Sequence, residues 1–242
     1  MDTLQVSKVV ETKINPYGRN KHYQAIFSCS YSDSSRLLAY PSPDRPAGYF
    51  TVYSFTKDES THFNAHEHDI EVLEMDFSGK LVASASKKGT IIRVFKVRDG
   101  KVLQEFRRGI DNAKIMSLCF DITGSMLALS SDSGTIHVYA VNNDELSVGE
   151  NSSVVTNTGS EVLQKKSRLG FFKKAIQYFD KESSFCQLKV DEKIVFVNFN
   201  FDSSEVFVYK ATGKIWKFEF PKEIEKMKKK IDLTDFKRIL KQ

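Results

Sequence analysis

The chemistry-bearing residues of this sequence gather around one dipeptide. Phe106-Arg107-Arg108-Gly109 ends a short alternating run. Side chains along a strand alternate faces, so Arg107 and Arg108 must point to opposite sides. Arg107 then reaches back toward Ser86, Lys88 and Thr90, and Arg108 forward toward Ser131, Ser133 and Thr135. Hydroxyls two residues apart on a strand share a face. With an arginine they make a site for a multiply charged, oxygen-rich anion such as a phosphate, because the guanidinium fork matches such oxygens in pairs. The competing reading is that these Ser and Thr residues lie in turns and satisfy local backbone groups only.

Other constellations carry less. His62, His66 and His68 form an H-x3-H-x-H cluster. On a strand His66 and His68 would share a face, but no further ligand stands nearby, so no metal site is expected. Cys29, Cys119 and Cys186 are odd in number and far apart. That argues against a disulfide framework and fits a reducing compartment, with the cysteines as core fillers. No nucleophile–base motif, Gly-rich phosphate loop or metalloprotease signature occurs, so neither an enzyme nor a cofactor is expected.

The elements that must hold these residues repeat. Asp76, Gly79, Ala83, Ser86, Gly89 and Thr90 recur 45 positions later as Asp121, Gly124, Ala128, Ser131, Gly134 and Thr135. Weaker copies lie around Leu37-Leu38-Ala39 and around Val206-Phe207-Val208. Within one unit, Ile70 to Phe77, Lys80 to Ser86, Thr90 to Val97 and Lys101 to Arg107 read as short alternating strands between glycine turns. Four antiparallel strands in roughly 40–45 residues is the signature of a β-propeller blade. The units fall near residues 11–65, 66–107, 114–190 and 191–220, with 1–10 as the outer strand of a preceding blade. The fold expected is all-β: a partial propeller of about four four-stranded blades, the last one incomplete, in an open arc spanning residues 1–220.

Composition agrees. The chain has 242 residues, 40% of them hydrophobic and 28% charged, enough for a substantial core in one domain or at most two. No run approaches the ~18 uncharged apolar residues of a membrane span. The start lacks a basic region followed by an apolar stretch, so no secretory signal is expected.

Two segments break the repeat. Residues 142–183 separate the third and fourth strands of the third unit, and their first half is polar and flexible in composition. Arg168 to Lys181 then reads as an amphipathic helix, with Leu169, Phe171, Phe172, Ile176 and Phe179 on one half of the wheel and lysines on the other. Such a helix suits a bilayer interface; packing on the propeller flank is the alternative. Residues 221–242 form a lysine-rich tail of helical pattern, either solvated or touching anionic lipid.

The constellation resembles the PROPPIN (WIPI) family, WD-repeat-like propellers that bind phosphoinositides in autophagy and endosomal traffic. The stretches that match are Leu38-Ala-Tyr-Pro41, Ala65-His66, Leu81 to Thr90, Ile92-Arg-Val-Phe95, Phe106-Arg-Arg-Gly109, Thr135-Ile-His-Val138 and Gly170-Phe-Phe-Lys173, within a likeness covering about residues 8–220. The resemblance implies two head-group sites at the propeller rim, one on each side of the arginine pair. The first would use His66, Ser86, Lys88, Thr90, Arg93 and Arg107. The second would use Arg108, Ser131, Ser133, Thr135 and His137. The implied ligands are phosphatidylinositol 3-phosphate and phosphatidylinositol 3,5-bisphosphate. The implied setting is cytoplasmic, peripheral on autophagosomal precursor, endosomal or vacuolar/lysosomal membranes, with autophagy or trafficking proteins as partners. The loop carrying Phe171 and Phe172 would insert into the membrane.

This sequence departs from the family in two ways. Family members have seven blades and the likeness begins near the fourth, which removes part of the usual partner surface. Some relatives carry a basic residue where Ser133 stands, which weakens the second site here. The alternative function is a WD-repeat scaffold that binds proteins without significant lipid affinity. A pI of 8.9 raises nucleic acid, but the positive charge gathers in the insertion and tail rather than along an aromatic platform, so no nucleic-acid partner is expected.

Overall fold

The computed structural model describes residues 9–12, 25–32, 35–142, 184, 186–190, 194–201 and 203–219. They form four antiparallel sheets in chain order. The first holds β1 (Ser28–Cys29), β2 (Leu37–Pro41), β3 (Tyr49–Ser54) and β4 (Glu59–Asn64); the second β5 (Ile70–Met75), β6 (Leu81–Ser86), β7 (Ile91–Lys96) and β8 (Val102–Arg107). The third holds β9 (Ile115–Phe120), β10 (Met126–Ser131), β11 (Thr135–Ala140) and β12 (Cys186–Lys189); the fourth β13 (Ile194–Phe199), β14 (Glu205–Lys210) and β15 (Ile215–Glu219). The expected four strands are met in three sheets, and the last has three. The amphipathic segment with Leu169, Phe171, Phe172, Ile176 and Phe179, and the lysine-rich tail, lie outside the described residues.

The core is not one mass but three layers, each shared by neighbouring sheets. Phe50, Phe63, Met75 and Phe95 join the first sheet to the second. Phe106, Ile115, Leu127 and Tyr139 join the second to the third. Met126, Ile136, Val197 and Val208 join the third to the fourth. No layer joins the first to the fourth among the described residues, so the sheets form an open arc with the first and fourth as its terminal sheets. Sheet faces packed on both sides explain why β6 and β10 are buried along their whole length.

The repeated aspartate closes a turn. After each innermost strand a polar side chain accepts the N–H of the residue that opens the next strand. Asp76 Oδ1 takes Leu81 N–H at 2.6 Å, and Asp121 Oδ1 takes Met126 N–H at 2.7 Å. Ser30 Oγ takes Leu37 N–H at 3.0 Å, and Asn200 Oδ1 takes Glu205 N–H at 2.9 Å. Hydroxyls also tie sheet to sheet: Ser28 Oγ accepts Met75 N–H at 2.9 Å, and Ser117 Oγ accepts Val197 N–H at 3.0 Å.

Antiparallel pairing sends successive connections to alternate ends of the arc. The β6–β7 and β10–β11 hairpins, and the chain leaving β4 and β8, open on one end. The aspartate-closed turns and the β3–β4 and β7–β8 connections open on the other. The first end therefore collects the hairpin hydroxyls, Lys88, the arginine pair and His66.

Candidate anion-binding site

In the third sheet the three hydroxyls meet. Ser131 ends β10, Ser133 lies in the turn and Thr135 opens β11. The hairpin, not strand alternation, brings them together, so the same-face expectation is corrected. Ser131 Oγ lies 2.8 Å from Ser133 Oγ and 2.7 Å from Thr135 Oγ1, and Ser133 Oγ lies 3.1 Å from Thr135 Oγ1. The triangle is closed: each hydroxyl already satisfies its neighbours. His137, two residues along β11, is buried with Nδ1 3.2 Å from Ser184 Oγ.

The second sheet builds the same hairpin differently. Ser86 ends β6, Lys88 lies exposed in the turn and Thr90 precedes β7. All three carbonyls are taken: Gly89 N–H bonds Ser86 C=O at 2.9 Å, Ala113 N–H bonds Lys88 C=O at 3.3 Å, and Arg108 N–H bonds Thr90 C=O at 2.9 Å. The Ser86 and Thr90 hydroxyls make no side-chain bond to each other.

The arginine pair is split, but not by strand alternation alone. β8 ends at Arg107, which is exposed, and Arg108 stands just beyond it, half-buried. Arg108 Nε donates to Gly89 C=O at 2.6 Å, and its Nη2 donates to Asp111 C=O. The guanidinium is thus anchored to the second sheet's hairpin. It also acts on the third sheet, where its charge favours ionisation of Tyr139 against the larger effect of burial, which pushes the phenol pKa up. Arg107 forms no ion pair among the described residues. Arg93 is committed elsewhere: Nε bonds Glu105 Oε2 at 2.8 Å and Nη1 donates to Ala65 C=O.

The histidines are not on one strand. β4 ends at Asn64, so His66 and His68 lie in the connection to β5, which corrects the shared-face expectation. His66 is buried, with Nε2 3.0 Å from Ser84 Oγ and its backbone N–H on Gly48 C=O at 3.2 Å. Burial, then the Arg93 charge, holds its pKa down at about 4, so it is neutral at pH 7 and offers hydrogen bonds rather than charge. His62 lies in β4, with Nδ1 3.0 Å from Thr51 Oγ1. Cys119 is buried, with Sγ donating to Asn198 Oδ1 at 2.9 Å.

Sequence reasoning missed Tyr139. It is fully buried, stacked at 4.5 Å on Phe106 and at 6.0 Å on His137, and so links the arginine-bearing strand to the second hairpin. Its place two residues after His137, on the same strand face, was the available signal.

A family model described as PROPPIN matches residues 7–203. The chain belongs to the PROPPIN family. It is 34% identical to autophagy-related protein 18e of Arabidopsis thaliana over 63% of this chain and 38% of that protein. It is 31% identical to autophagy-related protein 18 of Aspergillus clavatus over 70% of this chain and 45% of that protein. The chain thus spans less than half the length of these curated relatives. Among solved structures, Hsv2 of Kluyveromyces marxianus superposes with a TM-score of 0.58 at 25% identity, covering 83% of this chain and 55% of that one. A complex of KlAtg21 with the coiled coil of AgAtg16 gives 0.58 at 23% identity, covering 81% and 53%, a likeness of fold.

Proposed function

We propose that this chain is a phosphoinositide-binding effector that attaches to membranes carrying phosphatidylinositol 3-phosphate or 3,5-bisphosphate and recruits proteins there in autophagy or endosomal traffic. The observation that supports the reading is that two hydroxyl-bearing hairpins open on the same end of the arc to which β8 delivers Arg107 and Arg108. Ser86, Lys88 and Thr90 with Arg107 form the first site, with His66 and Arg93 behind them. Ser131, Ser133 and Thr135 with Arg108 form the second, with His137 behind them. Each site contains a guanidinium and alcohol groups, the donors a phosphorylated inositol ring takes. Family membership supports a binding module rather than a catalyst. Phe171, Phe172 and Ile176 of the insertion would add apolar anchorage to the polar readout, and two modest interactions on one body combine through effective concentration.

Changing both Arg107 and Arg108 to Thr is expected to abolish flotation on liposomes containing 3-phosphorylated phosphatidylinositol. Removing a charge-assisted hydrogen bond costs about 1.5–3 kcal/mol. Single changes weaken flotation without ending it. A double variant that floats like the parent sinks the assignment.

A further inference from the structure

The opposite end of the arc holds a second basic feature, outside the insertion and the tail where the positive charge was expected to gather. A cavity of about 550 Å³ lies between the first and second sheets. Arg36 and Lys57 reach it from the first sheet, Lys80, Lys96 and Arg98 from the second, and Glu59 is the single carboxylate in the lining. Five cations against one anion leave an excess of four, where the whole chain carries a net charge of +5. Arg36, Lys57 and Lys80 form no ion pair among the described residues. Cations crowded on a concave wall repel one another and focus a positive potential into the space between them.

The backbone under these cations is fixed. Arg36 C=O accepts Phe55 N–H at 2.9 Å, and Lys80 C=O accepts Val97 N–H at 2.9 Å. Gly79, at φ +73°, lets the turn before Lys80 press against the first sheet: a Cβ there would lie 2.5 Å from Ser35 Oγ. Tyr31 N–H also bonds Phe77 C=O at 3.3 Å, tying the first sheet to the turn after β5, and Ser54 and Thr61 add hydroxyls to the lining.

We propose that this cleft binds a small anion carrying at least two phosphate groups, bridged between the cations of the two sheets. The proposal is independent of the hairpin sites, which lie on the other end of the arc. Its ligand is either a free polyphosphorylated metabolite or the head group of a phosphorylated lipid.

The test uses inositol hexakisphosphate as the probe, by isothermal titration at fixed salt, in the Arg107→Thr, Arg108→Thr background that disables the hairpin sites. That protein is expected to bind the probe, and adding Arg36→Gln with Lys80→Gln to weaken binding at least ~10-fold, the worth of roughly one charge-assisted hydrogen bond. Adding Lys189→Gln with Lys214→Gln, exposed lysines far from the cleft and an equal change of charge, should alter it less than ~2-fold, as a general field effect would. No binding in the background, or equal weakening by both pairs, overturns the cleft. Matching melting temperatures show that each variant folds. Flotation on phosphatidylcholine vesicles containing phosphatidylinositol 3,5-bisphosphate then separates the sources. Soluble binding without flotation assigns a free metabolite. Flotation that depends on Arg36 and Lys80 assigns a head group and, because it persists without Arg107 and Arg108, counts against the hairpin reading while leaving the cleft standing.

Discussion

The β6–β7 and β10–β11 hairpins begin from one sequence pattern and arrive at different chemical states. In the β10–β11 hairpin Ser131, Ser133 and Thr135 close a triangle at 2.7–3.1 Å. In the β6–β7 hairpin Lys88 replaces the middle hydroxyl, and Ser86 and Thr90 are not bonded to each other. An anion entering the first hairpin meets a cation and two hydroxyls held apart. One entering the second must break hydroxyl–hydroxyl bonds before it gains its own, and a net hydrogen bond is worth only about 0.5–1.5 kcal/mol. One residue in the turn therefore separates a hairpin whose hydroxyls stand apart from one whose hydroxyls satisfy each other.

The largest difference expected between the two regions is in pH response, because His66 stands beside the first hairpin. Its pKa is held at about 4 in the folded chain against 6.5 unfolded. The unfolded chain takes up the proton more readily, so the stability from burying neutral His66 is full above pH 6.5 and is lost as pH falls toward 4. The loss is about 3 kcal/mol over that window. Glu74 works the other way, since burial raises its pKa to about 8 and favours the folded state at low pH. Comparing denaturant melts of the parent and His66→Gln between pH 4 and 7 isolates the histidine; parallel curves would refute its burial as a neutral group.

The next effect concerns the turn itself. Gly89 has φ +65°, and a Cβ there would lie 1.8 Å from Ala113 C=O. Gly89→Ala should cost about 1–3 kcal/mol, because both the conformation and the close approach must change. Gly109→Ala, with nothing within 4 Å, is the matched control and should leave the melting temperature unchanged. Equal melting temperatures would mean the hairpin is not clamped onto the next sheet.

The smallest effect tests the comparison most directly. Lys88→Ser turns the first hairpin toward the second and should weaken soluble head-group binding about 2- to 5-fold, roughly one exposed charge interaction. Ser133→Lys does the reverse and should strengthen the second site about 2- to 5-fold, with the triangle opened. Titration of inositol 1,3-bisphosphate into each variant reads both. If exchanging these two residues moves neither affinity, the closed triangle has no bearing on binding.

Much of the fold was legible, because its signals are local. The 45-residue offset from Asp76 to Asp121 marks a side chain that closes a turn, and the glycines between strands mark the hairpins. Ser30 and Asn200 do the same work without being visible as copies. Serine and asparagine supply the same acceptor as aspartate, and the segment of residues 142–183 breaks the spacing before the last unit. At the site, residue identities were legible and arrangement was not. Strand alternation placed the hydroxyls on one face, whereas the hairpin turn brings them together. Alternation divided Arg107 from Arg108, whereas Arg108 lies past the strand end and is anchored by Gly89 C=O. The basic cleft escaped altogether, because Arg36, Lys57, Lys80 and Arg98 are scattered in the chain and converge only when two sheets pack.

The four side chains that close the turns after β1, β5, β9 and β13 each span only five to seven residues. A bond that local forms early and costs little chain entropy. Each sheet can therefore register its first two strands before its neighbours exist, and the layers between sheets then couple one unit to the next along the arc. Exchange of amide hydrogens should show this as a gradient, with protection highest in the second and third sheets, which have neighbours on both sides, and lower in the first and fourth. Unfolding that begins at a terminal sheet and moves inward would leave the arginine pair, at the junction of the two central sheets, among the last groups to lose their place.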